Sequence, residues 1–192
     1  MSSDQPLLEG ISNRDPEAFQ TLLERYSGPM INLAFRFLGN RPDAEEVAQE
    51  VFLRLYQRPP RLSPSVGLYT WLYRVTVNRC IDLLRKRKRT PGMISLDASS
   101  DSEEPAEPLG ERLSSPSAAT PREQVARSEL FAATRKIVSS LPASLKAPLV
   151  LSTLEEISQE AIGEILQISP KAVERRIARA RGLLKARLQP YL

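Results

Sequence analysis

The chain has no histidine in 192 residues and one cysteine, Cys80. Histidine is the side chain whose ordinary pKa lies near neutrality, so its absence excludes imidazole acid–base catalysis and His-ligated zinc. A lone thiol builds neither a disulfide framework nor a thiolate cluster, which fits a reducing cytosol. There is no Walker-type phosphate loop and no GxGxxG, so the usual backbone cradles for nucleotides are missing. No uncharged apolar stretch approaches the roughly 20 residues that span a bilayer. The start, Met1-Ser2-Ser3-Asp4-Gln5, lacks a basic segment and an apolar core, so it does not read as a signal peptide. The carboxylates fall on amphipathic helices or in a polar stretch, in no catalytic signature. These absences predict a cytoplasmic protein that is not an enzyme, with no cofactor, no metal and no small-molecule substrate.

What is present is enough to fold, with 41% hydrophobic residues. Lys and Arg number 27 against 23 Asp and Glu, and the pI is near 9.4. That small excess matters only through its placement.

Apolar residues recur at steps of three and four, with no alternating strand pattern and no internal repeat. From Pro16 to Leu38 the stripe is Phe19, Leu22, Leu23, Tyr26, Met30, Leu33, Ala34 and Phe37, one face of a helix. Gly28-Pro29 predicts a kink or break, because proline lacks the backbone donor. After the turn Gly39–Pro42, Asp43 is the expected cap of a second helix, with Glu46 completing a capping-box-like pair. That helix buries Ala44, Val47, Ala48, Val51, Phe52 and Leu55, and Pro59-Pro60 ends it. A third helix is expected from about Leu68 to about Lys88, with Leu68, Trp71, Leu72, Val75, Ile81 and Leu84 inward. Its end, Arg85-Lys86-Arg87-Lys88-Arg89, opposes the negative end of the helix dipole, and so dense a run suits a polyanion.

Composition changes from Thr90 to Pro121. Prolines 91, 105, 108, 116 and 121 mix with serines and with Asp97, Asp101, Glu103, Glu104, Glu107 and Glu111. This predicts a flexible acidic linker over 91–121. Helices resume over 122–140, with Pro142 and Pro148 flanking short turns, and then over 145–156 and Ser158–Gln167. The last helix runs from Pro170 to about Leu188. The expected fold is all-α: two small helical domains, 1–90 and 122–192, joined by the linker.

The last two helices carry chemistry. Ser158 is a plausible cap, Ile168-Ser169 a tight turn, and Pro170 suits a first helical turn. Val173, Ile177, Ala180 and Leu184 form the inward stripe of the final helix, and Lys171, Arg175, Arg179 and, further round, Arg176 its opposite face. Residues 171–187 hold seven basic residues and one acid, Glu174. Two short helices, a tight turn and a basic second helix make a helix-turn-helix, whose second helix enters the major groove. Arginine suits that task because its planar fork pairs with guanine O6 and N7.

Three further stretches carry a resemblance. Asp43-Ala44-Glu45-Glu46-Val47-Ala48-Gln49-Glu50-Val51-Phe52 resembles a DAED-x-x-QE-x-F signature. Tyr69-Thr70-Trp71-Leu72-Tyr73-Arg74-Val75-Thr76-Val77-Asn78 resembles F-x-x-WL-x-x-IA-x-N. After Leu141-Pro142, the residues Ser158, Glu160, Ile162, Val173, Arg176, Arg179, Ala180, Arg181 and Leu184 match S-x-E-x-IA…V-x-x-R-x-x-RA-R-x-x-L. In this order and spacing they are similar to the extracytoplasmic-function sigma factors of the sigma-70 family, which keep only conserved regions 2 and 4.

The resemblance implies roles. Asp43, Glu46, Gln49 and Glu50 would dock on the largest subunit of core RNA polymerase. The loop at Arg61–Leu68 and the helix after it would bind the melted minus-ten element of promoter DNA through Arg61, Tyr69, Tyr73, Arg74, Asn78 and Arg79, with Arg85 and Lys86 on phosphate. Stacking groups in a basic groove suit single strands. Trp71 lies on the apolar stripe and is expected in the core rather than as a stacking platform. Lys171, Glu174, Arg175, Arg176 and Arg179 would read the duplex minus-thirty-five element. An anti-sigma factor, often membrane-anchored in such proteins, is an expected partner. Gly163 departs from the usual alanine, and Lys171-Ala172 from the usual Gly-Thr. Two other readings stay open: a stand-alone helix-turn-helix regulator, and a helical adaptor that binds only proteins.

Overall fold

The computed structural model describes residues 4–60, 62, 67–89 and 121–191. Among these residues eight α-helices follow in order: α1 Gln5–Ser12, α2 Pro16–Leu38, α3 Arg41–Gln57, α4 Leu68–Arg89, α5 Pro121–Ser140, α6 Ala143–Thr153, α7 Gln159–Leu166 and α8 Pro170–Leu188, with a short 3-10 turn at Gln189–Tyr191. No strand occurs among the described residues, and none of their helices is long and apolar enough to cross a membrane. Arg61 and nearly all of the predicted 91–121 linker lie outside the described residues; Pro121 already opens α5.

Local chemistry sets the helix ends. Asp15 accepts from the Glu17 amide, and Gly39 closes α2 in the left-handed region at φ 81°, where glycine alone is unstrained. The expected break at Pro29 does not occur: α2 runs through it. Burial of Tyr26, Met30, Leu33, Ala34 and Phe37 on both sides of the proline outweighs one lost hydrogen bond, since each large side chain contributes about 1.5–3 kcal/mol. The cap of α3 is Asn40, whose side chain accepts from the Asp43 amide at 2.8 Å, and not Asp43 itself. Asp43 sits in the first turn, where its charge still complements the helix dipole. Helix α1 was not foreseen. Tyr26 Oη donates to Asp4 just before it, at 2.7 Å, and burial followed by that carboxylate pushes the Tyr26 hydroxyl up to about 12. Pro148, expected beside a turn, lies buried inside α6.

The register of α4 also differs from expectation. Leu68, Leu72, Tyr73, Thr76, Val77 and Cys80 are buried, whereas Trp71, Val75, Ile81 and Leu84 are only partly so. The helix packs on α2 and α3 of its own half and also on α7 of the other. A helix covered on two sides has no single apolar stripe to read.

The two halves pack together. One apolar cluster runs from Leu8 in α1 through Phe37, Leu55 and Leu72 to Leu151, Ile162 and Val173. A second cluster, Leu141, Leu145, Leu149 and Ala180, ties α6 to α8 within the C-terminal half.

Candidate polymerase and nucleic-acid interfaces

On α3 the inward positions fix which side chains point out. Glu46 and Gln49 are exposed, and Asp43 and Glu50 are half-buried. Both half-buried acids are paired with α4. Arg79 forks onto Glu50, with the second bond at 2.7 Å, and Arg87 pairs with Asp43. The Glu50 hydrogen bond raises the Arg79 pKa. Thus two of the acids expected to face polymerase meet two cations of the helix expected to face DNA, along one seam. That leaves Glu46 and Gln49 as the unengaged part of the acidic face.

Along α4 the expected minus-ten residues divide. Asn78, Arg79, Arg85 and Lys86 are exposed. Tyr73 is not: only 4% of it is accessible. Its ring lies 4.2 Å from that of Tyr69, centroid to centroid, and its hydroxyl donates to Glu155 at 3.1 Å. Burial, then the Tyr69 contact and the Glu155 charge, push the Tyr73 hydroxyl far up. Arg74 is half-buried and donates to the Glu164 carbonyl at 2.7 Å, while its Nε is buried without a partner.

Trp71, expected in the core, is only partly buried against it, and its remaining surface lines a cleft of about 390 Å³ with Arg54, Gln57, Arg58 and Pro60. Sequence reasoning passed over Arg54 and Arg58. Their i, i+4 spacing before Pro59-Pro60 was the available signal, because it puts two cations on one side of a helix end. An indole beside two guanidinium groups is a stacking surface for a base with cations placed for phosphate.

In the C-terminal half the helix-turn-helix is built from caps. Ser158 accepts from the Ala161 amide at 3.3 Å and Ser169 from the Ala172 amide at 3.2 Å. Gln167 takes the left-handed region at φ 55°, and Ile168 donates to the Gly163 carbonyl at 3.0 Å. Gly163 is required by that turn: a Cβ there would sit 2.8 Å from the Ile168 carbonyl oxygen. Val173, Ile177 and Ala180 are buried and Leu184 half-buried, as the stripe predicts. Lys171, Glu174, Arg175 and Arg179 are exposed, and Arg176 is half-buried. The outward face of α8 is therefore a fixed row of cations with one acid, of a size that fits the major groove.

Comparison with known proteins agrees with this architecture. The models "Sigma-70 region 2" and "Sigma-70, region 4" match residues 22–90 and 131–184. The chain is 31% identical to the RNA polymerase sigma-H factor of Pseudomonas aeruginosa, over 98% of this chain and 95% of that protein. It is 31% identical to the ECF RNA polymerase sigma-E factor of Haemophilus influenzae, over 99% and 97%, and 30% identical to the ECF sigma factor SigW of Bacillus subtilis, over 95% of each. Its fold is similar to CnrH, solved in complex with the cytosolic domain of CnrY, with a TM-score of 0.65 and 23% identity over 97% of both chains. It is also similar to the sigma factor RpoE of Bartonella quintana, solved with the anti-sigma factor NepR, with a TM-score of 0.61 and 17% identity over 89% of this chain and 96% of that one. The chain belongs to the extracytoplasmic-function sigma factors of the sigma-70 family, which bind core RNA polymerase and direct it to promoters.

Proposed function

We propose a division of labour among three surfaces. The outward face of α3, with Asp43, Glu46, Gln49 and Glu50, docks on core polymerase. The start of α4, with Tyr69, Tyr73 and Arg74, and its exposed side, with Asn78, Arg79, Arg85 and Lys86, capture the melted minus-ten strand together with Arg61. The cleft of Trp71, Arg54 and Arg58 extends that surface. Lys171, Glu174, Arg175, Arg176 and Arg179 on α8 read the minus-thirty-five duplex. Residues 1–90 and 122–192 act as the two DNA-handling domains, and 91–121 as an acidic tether that lets them reach separate elements. The protein works in the cytoplasm and performs no chemistry of its own. An anti-sigma factor controls it; of two proteins of similar fold, CnrH was solved with the cytosolic domain of CnrY and the sigma factor RpoE with the anti-sigma factor NepR.

The observation that carries this reading is the exposed basic face of α8, held rigid by two serine caps and a glycine-dependent turn. Sites on rigid elements keep the register that base reading needs. Run-off transcription with core polymerase on a library of promoter DNA tests it. Specific initiation that requires the protein, disappears in Asp43→Lys plus Glu46→Lys and changes promoter preference in Arg175→Ala is the expected result. Tight specific binding to duplex DNA without any stimulation of core enzyme would identify a stand-alone regulator instead.

A further inference from the structure

One residue on the outward side of α8 does not match the charge of its neighbours. Lys171, Arg175 and Arg179 are exposed cations, and Glu174 is an exposed acid among them. Every other charged residue from 171 to 187 is basic. An acid in such a row weakens the attraction to a polyanion, so its presence calls for a reason inside the helix or outside it.

The helix supplies none. The residues three and four places on, where an acid on a helix finds its cation, are Ile177 and Ala178. Lys171 lies three places back, yet Glu174 takes part in no ion pair among the described residues. The start of α8 is already capped by Ser169, which accepts from the Ala172 amide. Glu174 also lies beyond the first turn, where an acid offsets the helix dipole most. Ala178 and Gly182, one and two turns further along, are exposed and add no bulk beside it.

We infer that Glu174 selects cytosine at one position of the minus-thirty-five element, mainly by rejecting guanine and thymine there. The inference rests on the reading of α8 as the helix that reads duplex DNA, and it gives one residue of that helix a base. In the major groove cytosine offers its N4 amino group, a donor, and no acceptor. An ionised carboxylate only accepts, so nothing opposes that contact. Guanine presents the acceptors N7 and O6, and thymine the acceptor O4. Each would set lone pairs against the carboxylate and leave it desolvated without a partner. Adenine stands between, with the donor N6 beside the acceptor N7. The N-terminal residues of such a helix are the ones that reach base edges, and Glu174 is the fifth residue of α8. Repulsion from phosphate applies to every sequence, whereas the contact with N4 applies to one. The acid therefore lowers affinity everywhere and restores it only where cytosine is present, which is selectivity by rejection.

The test uses holoenzyme assembled from core polymerase and the full chain, on a promoter library randomised across the minus-thirty-five element, with initiation counted for each sequence. The wild-type protein is expected to favour cytosine over guanine by about tenfold at one position, the size of one mismatched base pair. Glu174→Gln keeps the length and helix propensity of the side chain, and glutamine pairs with adenine N6 and N7. Preference at that position is expected to move from cytosine to adenine, with every other position unchanged. Glu174→Ala is expected to flatten the position and to raise initiation on the guanine and thymine templates. A Glu174→Gln protein that keeps every wild-type preference, and changes output equally on all sequences, makes Glu174 a solvated acid and overturns the inference. So does a wild-type preference for guanine or thymine at the position that Glu174→Gln alters. In either case a shift in preference by Arg175→Ala leaves α8 standing as the reader. If Arg175→Ala also moves no preference at any position, the reading of α8 falls as well.

Discussion

Helices α4 and α8 both carry rows of basic residues, yet they are held in different ways. The main packing partners of α8, namely α5, α6 and α7, belong to its own half, and its cationic face is open. The partners of α4 come from both halves, and its aromatic start is covered. A duplex presents its grooves without preparation, so a permanently open reader suits it. Unpaired bases expose sticky apolar faces, and a surface built to stack them would otherwise attract any single strand. The difference in packing thus matches the difference between the targets proposed for the two helices.

The largest way to break this contrast is to hollow the ground beneath α4. Leu72 is fully buried, and Leu72→Ala leaves a cavity, with an expected loss of about 2–5 kcal/mol in denaturant unfolding. Leu184 is only half-buried under α8, so Leu184→Ala is expected to cost well under that. Equal losses at the two positions would show that the helices are supported alike.

Arg175 comes next. Arg175→Ala is expected to lower specific duplex affinity by about 1–3 kcal/mol and to relax preference at one base pair, as measured by selection from a promoter library. Single-strand binding is expected to stay the same. A uniform fall on every duplex sequence would make Arg175 a phosphate contact instead.

How far each helix could be read from sequence follows the same division. Val173, Ile177 and Ala180 fall on a single stripe because α8 has one covered side, and periodicity reports one-sided burial faithfully. On α4 the same rule picked Trp71, Val75 and Ile81 and missed Tyr73, Thr76, Val77 and Cys80, since the helix is covered both by α2, where Thr76 meets Met30, and from the other half, where Tyr73 meets Glu155. The α3 stripe was read in full, but its start was placed at Asp43, because Asn40 and Asp43 are both good caps and only the backbone decides between them. Glu155 carried no signal at all. It is one acid in a polar turn, and its role exists only once Arg36 and Tyr73 are brought to it. Gly163 departs from the usual alanine, and the turn onto Ile168 gives that departure a reason. Gly163→Ala gains helix propensity but drives Cβ against a backbone oxygen, and a net loss of about 1 kcal/mol in thermal unfolding is expected.

Cys80 offers a check of smaller consequence. It is fully buried on the inner side of α4, and burial pushes its thiol up to about 12. The native chain is expected to resist a thiol reagent at neutral pH and to react once in denaturant. Rapid native labelling would mean that α4 loosens from its own half as well as from the other.

The smallest expected effect is that of pH on the packing of the two halves. Glu155 faces Arg36 of α2 and Tyr69 and Tyr73 of α4. Burial raises its carboxyl pKa, and the Arg36 charge and the Tyr73 bond oppose that rise without cancelling it. With the halves apart, the carboxyl returns to its ordinary value. The closed state therefore holds the proton more firmly than the open one, and protonation favours closure. That contribution is complete below the ordinary carboxylate range and is lost as pH rises through the raised value. The packed arrangement is thus expected to loosen slightly as pH is raised from the acid side toward neutrality, read as a small rise in the radius of gyration by small-angle scattering. Glu155→Gln, neutral at every pH, is expected to flatten that rise. A rise that persists in Glu155→Gln would move the titration to another group.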